Sequence, residues 1–135
     1  MKHIKLYEDF VNEGKDVESA VAKIDSLPIG AIFDDAKKID GIFNMTKHSW
    51  SDVINAYEQN KKDGKMKSVN VKDIQITQRN IQSNKVKEMI NRDGKLKTIN
   101  VVQFPDGLVI YDGHHRLTTT WALGETKIKV NLVKI

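Results

Sequence analysis

The stretch 98–124 places the tightest constraint on how this chain can fold. Thr98-Ile99-Asn100-Val101-Val102-Gln103-Phe104 is followed by Pro105-Asp106-Gly107 and then by Leu108-Val109-Ile110-Tyr111. Two β-prone runs around a Pro-Asp-Gly turn predict a β-hairpin. Leu117 to Leu123 then reads as a helix closed by Gly124. Asp112-Gly113-His114-His115-Arg116 therefore falls at a strand-to-helix junction. The first N–H groups of a helix have no acceptor within it, so such a junction gathers anions.

The rest of the chain is organised around that unit. Residues 1–13 place Ile4, Tyr7, Phe10 and Val11 near one helical face, and Gly14 ends the run. Val17, Ala20, Val21 and Ile24 predict a helix that Ser26-Leu27-Pro28 interrupts. A second helix is expected over Ile32 to Phe43, although Asp40-Gly41 sits awkwardly within it. A third begins near Ser49 or Ser51, either a suitable N-cap, with Trp50, Val53, Ile54 and Tyr57 as its apolar face. After Gly64 the pattern alternates. Val69, Val71 and Ile74 predict a short strand. Ser83 or Asn84 opens a helix with Val86, Met89 and Ile90 inward and Gly94 as its stop, and Lys127 to Val133 forms a last strand. The expected architecture is α+β: a small mixed β-sheet with flanking helices over residues 67–135, preceded by a helical N-terminal region over 1–66.

Composition removes several chemistries. The chain has 135 residues and no cysteine, which excludes disulfides, zinc–thiolate sites and thiol catalysis. No apolar run approaches the roughly 20 residues of a membrane span, and the N-terminus lacks the apolar core of a secretory signal. A cytoplasmic location without membrane attachment is the expectation. The net charge of +4 is compatible with nucleotide or nucleic acid and demonstrates neither.

Within the junction, glycine lets a ligand approach the backbone, and Arg116 offers a planar fork for phosphate oxygens. Asp112 can bind a metal ion, accept a proton from a hydroxyl, or cap the helix. Successive helical residues point about 100° apart, so His114 and His115 do not both face one ligand. One reaches the pocket and the other packs or orients a neighbour. Basic side chains at a helix start oppose the macrodipole, and an anion would justify them. Adjacent histidines chelate poorly, and His3 and His48 are isolated, so zinc is not expected. Magnesium carried by a nucleotide and touched by Asp112 is the better expectation. Thr77, Gln78 and Arg79, between the first strand and its helix, form the opposite wall.

From about Val69 to Val133 the order of elements, with Gly94, Val101-Val102, Ile110, Gly113, Arg116, Leu117 and Leu123-Gly124, resembles the ParB/sulfiredoxin-like superfamily. Sulfiredoxins carry Gly-Gly-Cys-His-Arg where this chain has His114 at the cysteine position. ParB partition proteins carry Gly-Glu-Arg-Arg, matched by Gly113, His114, His115 and Arg116 without the glutamate. The free serine kinase branch has Asp-Gly-His-His-Arg as it stands here, although Thr77-Gln78-Arg79 replaces its catalytic glutamate. Phage proteins with this domain are called ParB-like nucleases. The opening residues also resemble those of tailed-bacteriophage proteins, some of them virion components, which implies a phage source, a host-cytoplasm location and virion association.

The resemblance implies a nucleotide-binding protein that acts on a phosphate bond, nuclease- or kinase-like, with ATP or another nucleoside triphosphate and magnesium. Asp112 and His115 would be catalytic. Gly113, His114, Arg116, Thr77, Gln78 and Arg79 would bind nucleotide or phosphate, and Asp112 would also meet the metal. Two alternatives stay open. One is a non-enzymatic nucleotide-, DNA- or RNA-binding module using Lys61, Lys62, Lys65, Lys67, Lys85, Lys87, Lys95 and Lys97. The other is a phage virion or interaction protein that kept the fold.

Overall fold

In the computed structural model, β5 (Ile99–Phe104) and β6 (Gly107–Asp112) form the expected hairpin, with Phe104 opposite Gly107 so that Pro105-Asp106 is the whole connection. Residues 17–30, 33–92 and 98–135 are described. The expected N-terminal helix over 1–13, the stop at Gly94, and Ile32, His3, Lys95 and Lys97 lie outside them. β7 (Lys127–Lys134) runs parallel to β5 on the side away from β6. β2 (Lys65–Asn70) adds antiparallel to β7 at one edge, and β3 (Ile74–Gln75) adds parallel to β6 at the other. The mixed five-stranded sheet has the order β2-β7-β5-β6-β3. β1 (Ala36–Lys38) and β4 (Asn80–Gln82) make a separate two-stranded ribbon.

Alternation along the strands sends apolar side chains to both faces of the sheet. Ile99, Val101, Ile110 and Val130 pack against Ala20 and Ile24 of α1 (residues 17–25), Val86 and Ile90 of α3 (Ser83–Asn91), and Leu117 and Ala122 of α4 (His114–Ala122). Val102, Phe104 and Val109 face the other way and pack against Val53 and Ala56 of α2 (Trp50–Asn60). Among the described residues the fold is α+β, with one helix on one face of the sheet and three on the other. Among the described residues no helix is long and apolar enough to cross a membrane.

The local signals explain most of the boundaries. Ser49 caps α2, its hydroxyl accepting the Asp52 N–H at 3.1 Å. Lys37 donates its ammonium to the carbonyls of Asp25, the last residue of α1, and Leu27 just after it, where the macrodipole favours a cation. α3 has no local cap, and Asp35 supplies a distant one. Its carbonyl accepts the Ser83 N–H at 2.9 Å and its carboxylate accepts the Asn84 N–H at 3.3 Å.

Two expectations are corrected. Ile32 to Phe43 is not a helix, since Ala36–Lys38 is a strand paired with Asn80–Gln82. Ala36, Ile39 and Phe43 are buried at a spacing that fits a helix, but a free strand partner overrides it and Asp40-Gly41 turns the chain. The boundary at 66/67 falls inside β2, and α1 and α2 complete the two cores instead of forming a separate region. Ile24→Ala is therefore expected to lower the stability of the whole chain by about 2–5 kcal/mol. In urea, Trp50 and Trp121 emission and far-UV circular dichroism should report one coincident transition. Two separated transitions would restore an independent N-terminal unit.

Candidate functional site

A β-bulge sets the site's geometry. Val101 pairs with Ile110 and Asn100 with Asp112, so Tyr111 is an extra residue in β6. Bulges re-aim side chains at the end of a ladder. Here the Asp112 carboxylate is held by Asn100. Its Oδ1 accepts the Asn100 backbone N–H and Nδ2, both at 3.1 Å, and Oδ2 accepts Nδ2 at 3.2 Å. Asn100 Oδ1 in turn accepts Asn131 Nδ2 at 2.8 Å. This fastens Asp112 to β5 and β7, and Gly113, not Asp112, occupies the N-cap of α4.

Gly113 has φ +104°, and a Cβ there would collide with the Ile99 side chain. Only glycine meets both conditions. The first helical bond is donated by Leu117 N–H to Gly113 O at 2.8 Å, and no side chain caps the end. Among the described residues, the N–H groups of His114, His115 and Arg116 have no acceptor.

The two histidines act differently from the expectation that one faces phosphate. His114 is 6% exposed, and its Nε2 accepts the Thr77 N–H at 3.0 Å with Thr77 Oγ1 at 3.1 Å. His115 Nε2 accepts the Gln82 N–H at 3.1 Å. A backbone N–H can only donate, so each Nε2 carries a lone pair and each neutral ring keeps its proton on Nδ1. Burial, then the neighbouring His115, pushes His114 down to about 4. Burial and then Lys85 lower His115 against the opposing pull of Asp35. Both imidazoles are neutral at pH 7, and positive charge at the site comes from Lys85 and Arg116. Neither forms an ion pair among the described residues.

These groups surround a pocket of about 700 Å³. Thr77 and Gln78 form one wall, Lys85 and Met89 of α3 another, and Tyr111 to Arg116 the floor, with Trp50 at the start of α2 closing the side. Of the residues singled out from sequence, Asp112, Gly113, His114, His115, Arg116, Thr77 and Gln78 are brought together. Arg79 is not, because its guanidinium meets Asp40 at 3.4 Å away from the pocket. No group of three or more His, Asp or Glu able to hold a metal occurs among the described residues. Asp112 is one carboxylate ligand, so magnesium fits only if phosphate oxygens and water supply most of its shell.

Trp50, Tyr111, Lys85 and Met89 escaped the sequence reading as pocket residues. Trp50 looked like part of the inward stripe of α2, yet it is 49% exposed. Lys85 lies four residues before Met89, on the same helical face. That spacing was the available signal once Met89 was known to face α4.

The histidine geometry has a pH consequence. The His114 ring titrates near 6.5 in the unfolded chain and at about 4 when folded. Its contribution to stability is fully present above 6.5 and is lost as pH falls from 6.5 towards 4. The gap corresponds to roughly 3 kcal/mol. His115 shifts in the same direction. In urea titrations at pH 7, 5.5 and 4, His114→Gln, whose amide oxygen can still accept the Thr77 N–H, is expected to lose less stability than the natural chain. Equal losses would overturn the assignment.

No family model and no curated protein matches this chain. Among solved structures it is similar to sulfiredoxin from Arabidopsis thaliana, with 26% sequence identity, 53% of this chain and 86% of that chain covered, and a TM-score of 0.44.

Proposed function

We propose that this protein binds a nucleotide through its phosphates at the start of α4 and acts on a phosphate bond. One observation carries the reading. Three N–H groups and two cations, Lys85 and Arg116, that have no acceptor or carboxylate partner among the described residues converge on one pocket. An anion satisfies all five, and phosphate offers enough oxygens to do so. The supporting sequence resemblance is to proteins that handle nucleotide phosphates.

In the reaction, an acceptor oxygen attacks phosphorus as the bond to the leaving oxygen breaks. Asp112, the carboxylate of the pocket, takes the proton of the attacking hydroxyl or water. Its clamp to Asn100 fixes its direction. Lys85, Arg116 and the free N–H groups stabilise the charge on the equatorial and leaving oxygens, the main catalytic demand of phosphoryl transfer. Thr77 and Gln78 bound the substrate on the opposite side. His114 and His115 position that wall, a role that takes the place of the catalytic one expected of His115. Magnesium, when carried in with the nucleotide, would add charge neutralisation beside Asp112.

Thermal shift and calorimetry with ATP, CTP and GTP, with and without magnesium, test binding directly. Arg116→Ala and Lys85→Ala should each weaken binding by roughly 10- to 100-fold, as expected for lost charged hydrogen bonds. Asp112→Asn should bind nearly as well and lose about 10²- to 10⁴-fold in turnover. Unchanged affinity in Arg116→Ala would remove the phosphate site, and unchanged turnover in Asp112→Asn would remove the proposed base.

A second reading, a non-enzymatic module for DNA or RNA, has its own observation. Lys65 and Lys67 of β2 and Lys134 of β7 border another hollow, of about 500 Å³. Phosphate-backbone binding there would weaken steeply between about 50 and 200 mM salt. Absence of duplex or single-strand binding at the lower salt would dismiss it.

A further inference from the structure

We propose that Trp50 and Tyr111 form a seat for the base of a free mononucleotide, so that α2 completes the site whose phosphate end lies at α4. This seat rests on the phosphate-binding reading above and adds the part of the ligand that reading leaves unassigned.

Three rings form a ladder. Tyr57 stacks on Tyr111 with centroids 3.8 Å apart and planes 7° apart. Trp50 stacks on Tyr111 at 5.8 Å and 21°. Tyr57 and Tyr111 pack against the α2 face of the sheet, which leaves Trp50 as the outer ring. It is about half exposed and lines the same pocket as Lys85 and Arg116.

The Trp50 backbone is braced by the residues that precede it. Ser49 caps α2. His48 stacks on Phe104 at 3.9 Å and bonds Asp106 at 2.8 Å, which ties the start of α2 to the hairpin turn. Further back, Thr46 N–H donates to Ile76 O and Ile76 N–H to Asn44 O, so this segment runs beside the strand that leads to Thr77. An exposed indole on a braced backbone is a stacking platform that needs little ordering on binding.

The pocket thus has an aromatic end and a cationic end, joined by consecutive residues: Tyr111, Asp112, Gly113 and the first turn of α4. A nucleotide has the same order of ring, sugar and phosphates. The volume of about 700 Å³ falls within the range of small-ligand sites. Every base presents a π-face, so stacking accepts all of them, with larger rings favoured. The seat therefore selects nucleotides over bare phosphates and discriminates weakly between bases.

The test compares inorganic tripolyphosphate with ATP, GTP and CTP by calorimetry on the natural chain, Trp50→Phe and Trp50→Leu. The natural chain should bind ATP about 10- to 100-fold more tightly than tripolyphosphate, the worth of one stacked base. Trp50→Leu should abolish that preference while keeping tripolyphosphate affinity, and Trp50→Phe should restore most of it. In a Trp121→Phe background, ATP should quench Trp50 emission and tripolyphosphate should not. If tripolyphosphate binds and Trp50→Leu leaves ATP affinity unchanged, the base seat falls and the phosphate site stands. If neither ligand binds, both fall. Tighter Trp50-dependent binding of a short single-stranded oligonucleotide than of ATP would overturn the mononucleotide assignment.

Discussion

His114 and His115 leave the first turn of α4 in directions about 100° apart, and each accepts a backbone N–H from the same connecting segment, at Thr77 and at Gln82. These two bonds fasten the wall of the pocket to its floor. They also explain why two adjacent histidines are useful where they chelate poorly: their divergence reaches two backbone N–H groups five positions apart in the facing chain. Each ring must stay neutral to accept, so the bonds set the electrostatics as well. A protonated ring would leave a half-buried backbone donor facing a cation, and an unsatisfied donor alone costs about 1–3 kcal/mol.

Neutral histidines change the account of charge at the helix start. Arg116 is the cation on the first turn of α4, and Lys85 reaches the pocket from α3. The macrodipole is opposed less than the sequence implies. The threonine run beneath reinforces the donors. Thr118, Thr119 and Thr120 are buried, and their hydroxyls donate to the carbonyls of His114, His115 and Arg116 at 2.8, 2.7 and 2.9 Å. Such bonds to the residue four back satisfy polar groups inside a packed helix. They also polarise the peptide units whose N–H groups belong to His115, Arg116 and Leu117, and linked hydrogen bonds strengthen one another. Three threonines that look out of place in a core helix therefore serve the exposed end of the same helix.

The hairpin, its turn, the Ser49 cap and the strand-to-helix junction were legible because each is encoded by neighbouring residues. Thr77 and Gln78 were legible through their place after a strand. What could not be read depends on contacts distant in sequence. Ala36–Lys38 forms a strand because Asn80–Gln82 is there to pair with it, and α3 is capped by Asp35 from 48 residues before its first residue. Arg79 looked like part of the pocket wall, but only the fold shows Asp40 beside it. The roles of the histidines were hidden for the same reason, since their partners are backbone atoms that no side-chain pattern reveals.

The position of the pocket follows from the bulge. Val109 and Ile110 still alternate cleanly between the α2 face and the α4 face of the sheet. One residue later the ladder slips, Tyr111 stays with α2, and Asp112 is drawn to Asn100. Gly113 then turns the chain into α4 on the opposite face. Within three residues the backbone passes from one layer to the other around the end of the sheet. A hollow at that point is open to side chains of both layers: Trp50 from one, Lys85 and Met89 from the other. Strict alternation alone would still place Tyr111 on the α2 face but would send Asp112 to the α4 face; the bulge instead sets Asp112 opposite Asn100. The apolar and cationic ends of the pocket meet because Gly113 carries the chain into α4 two residues after Tyr111.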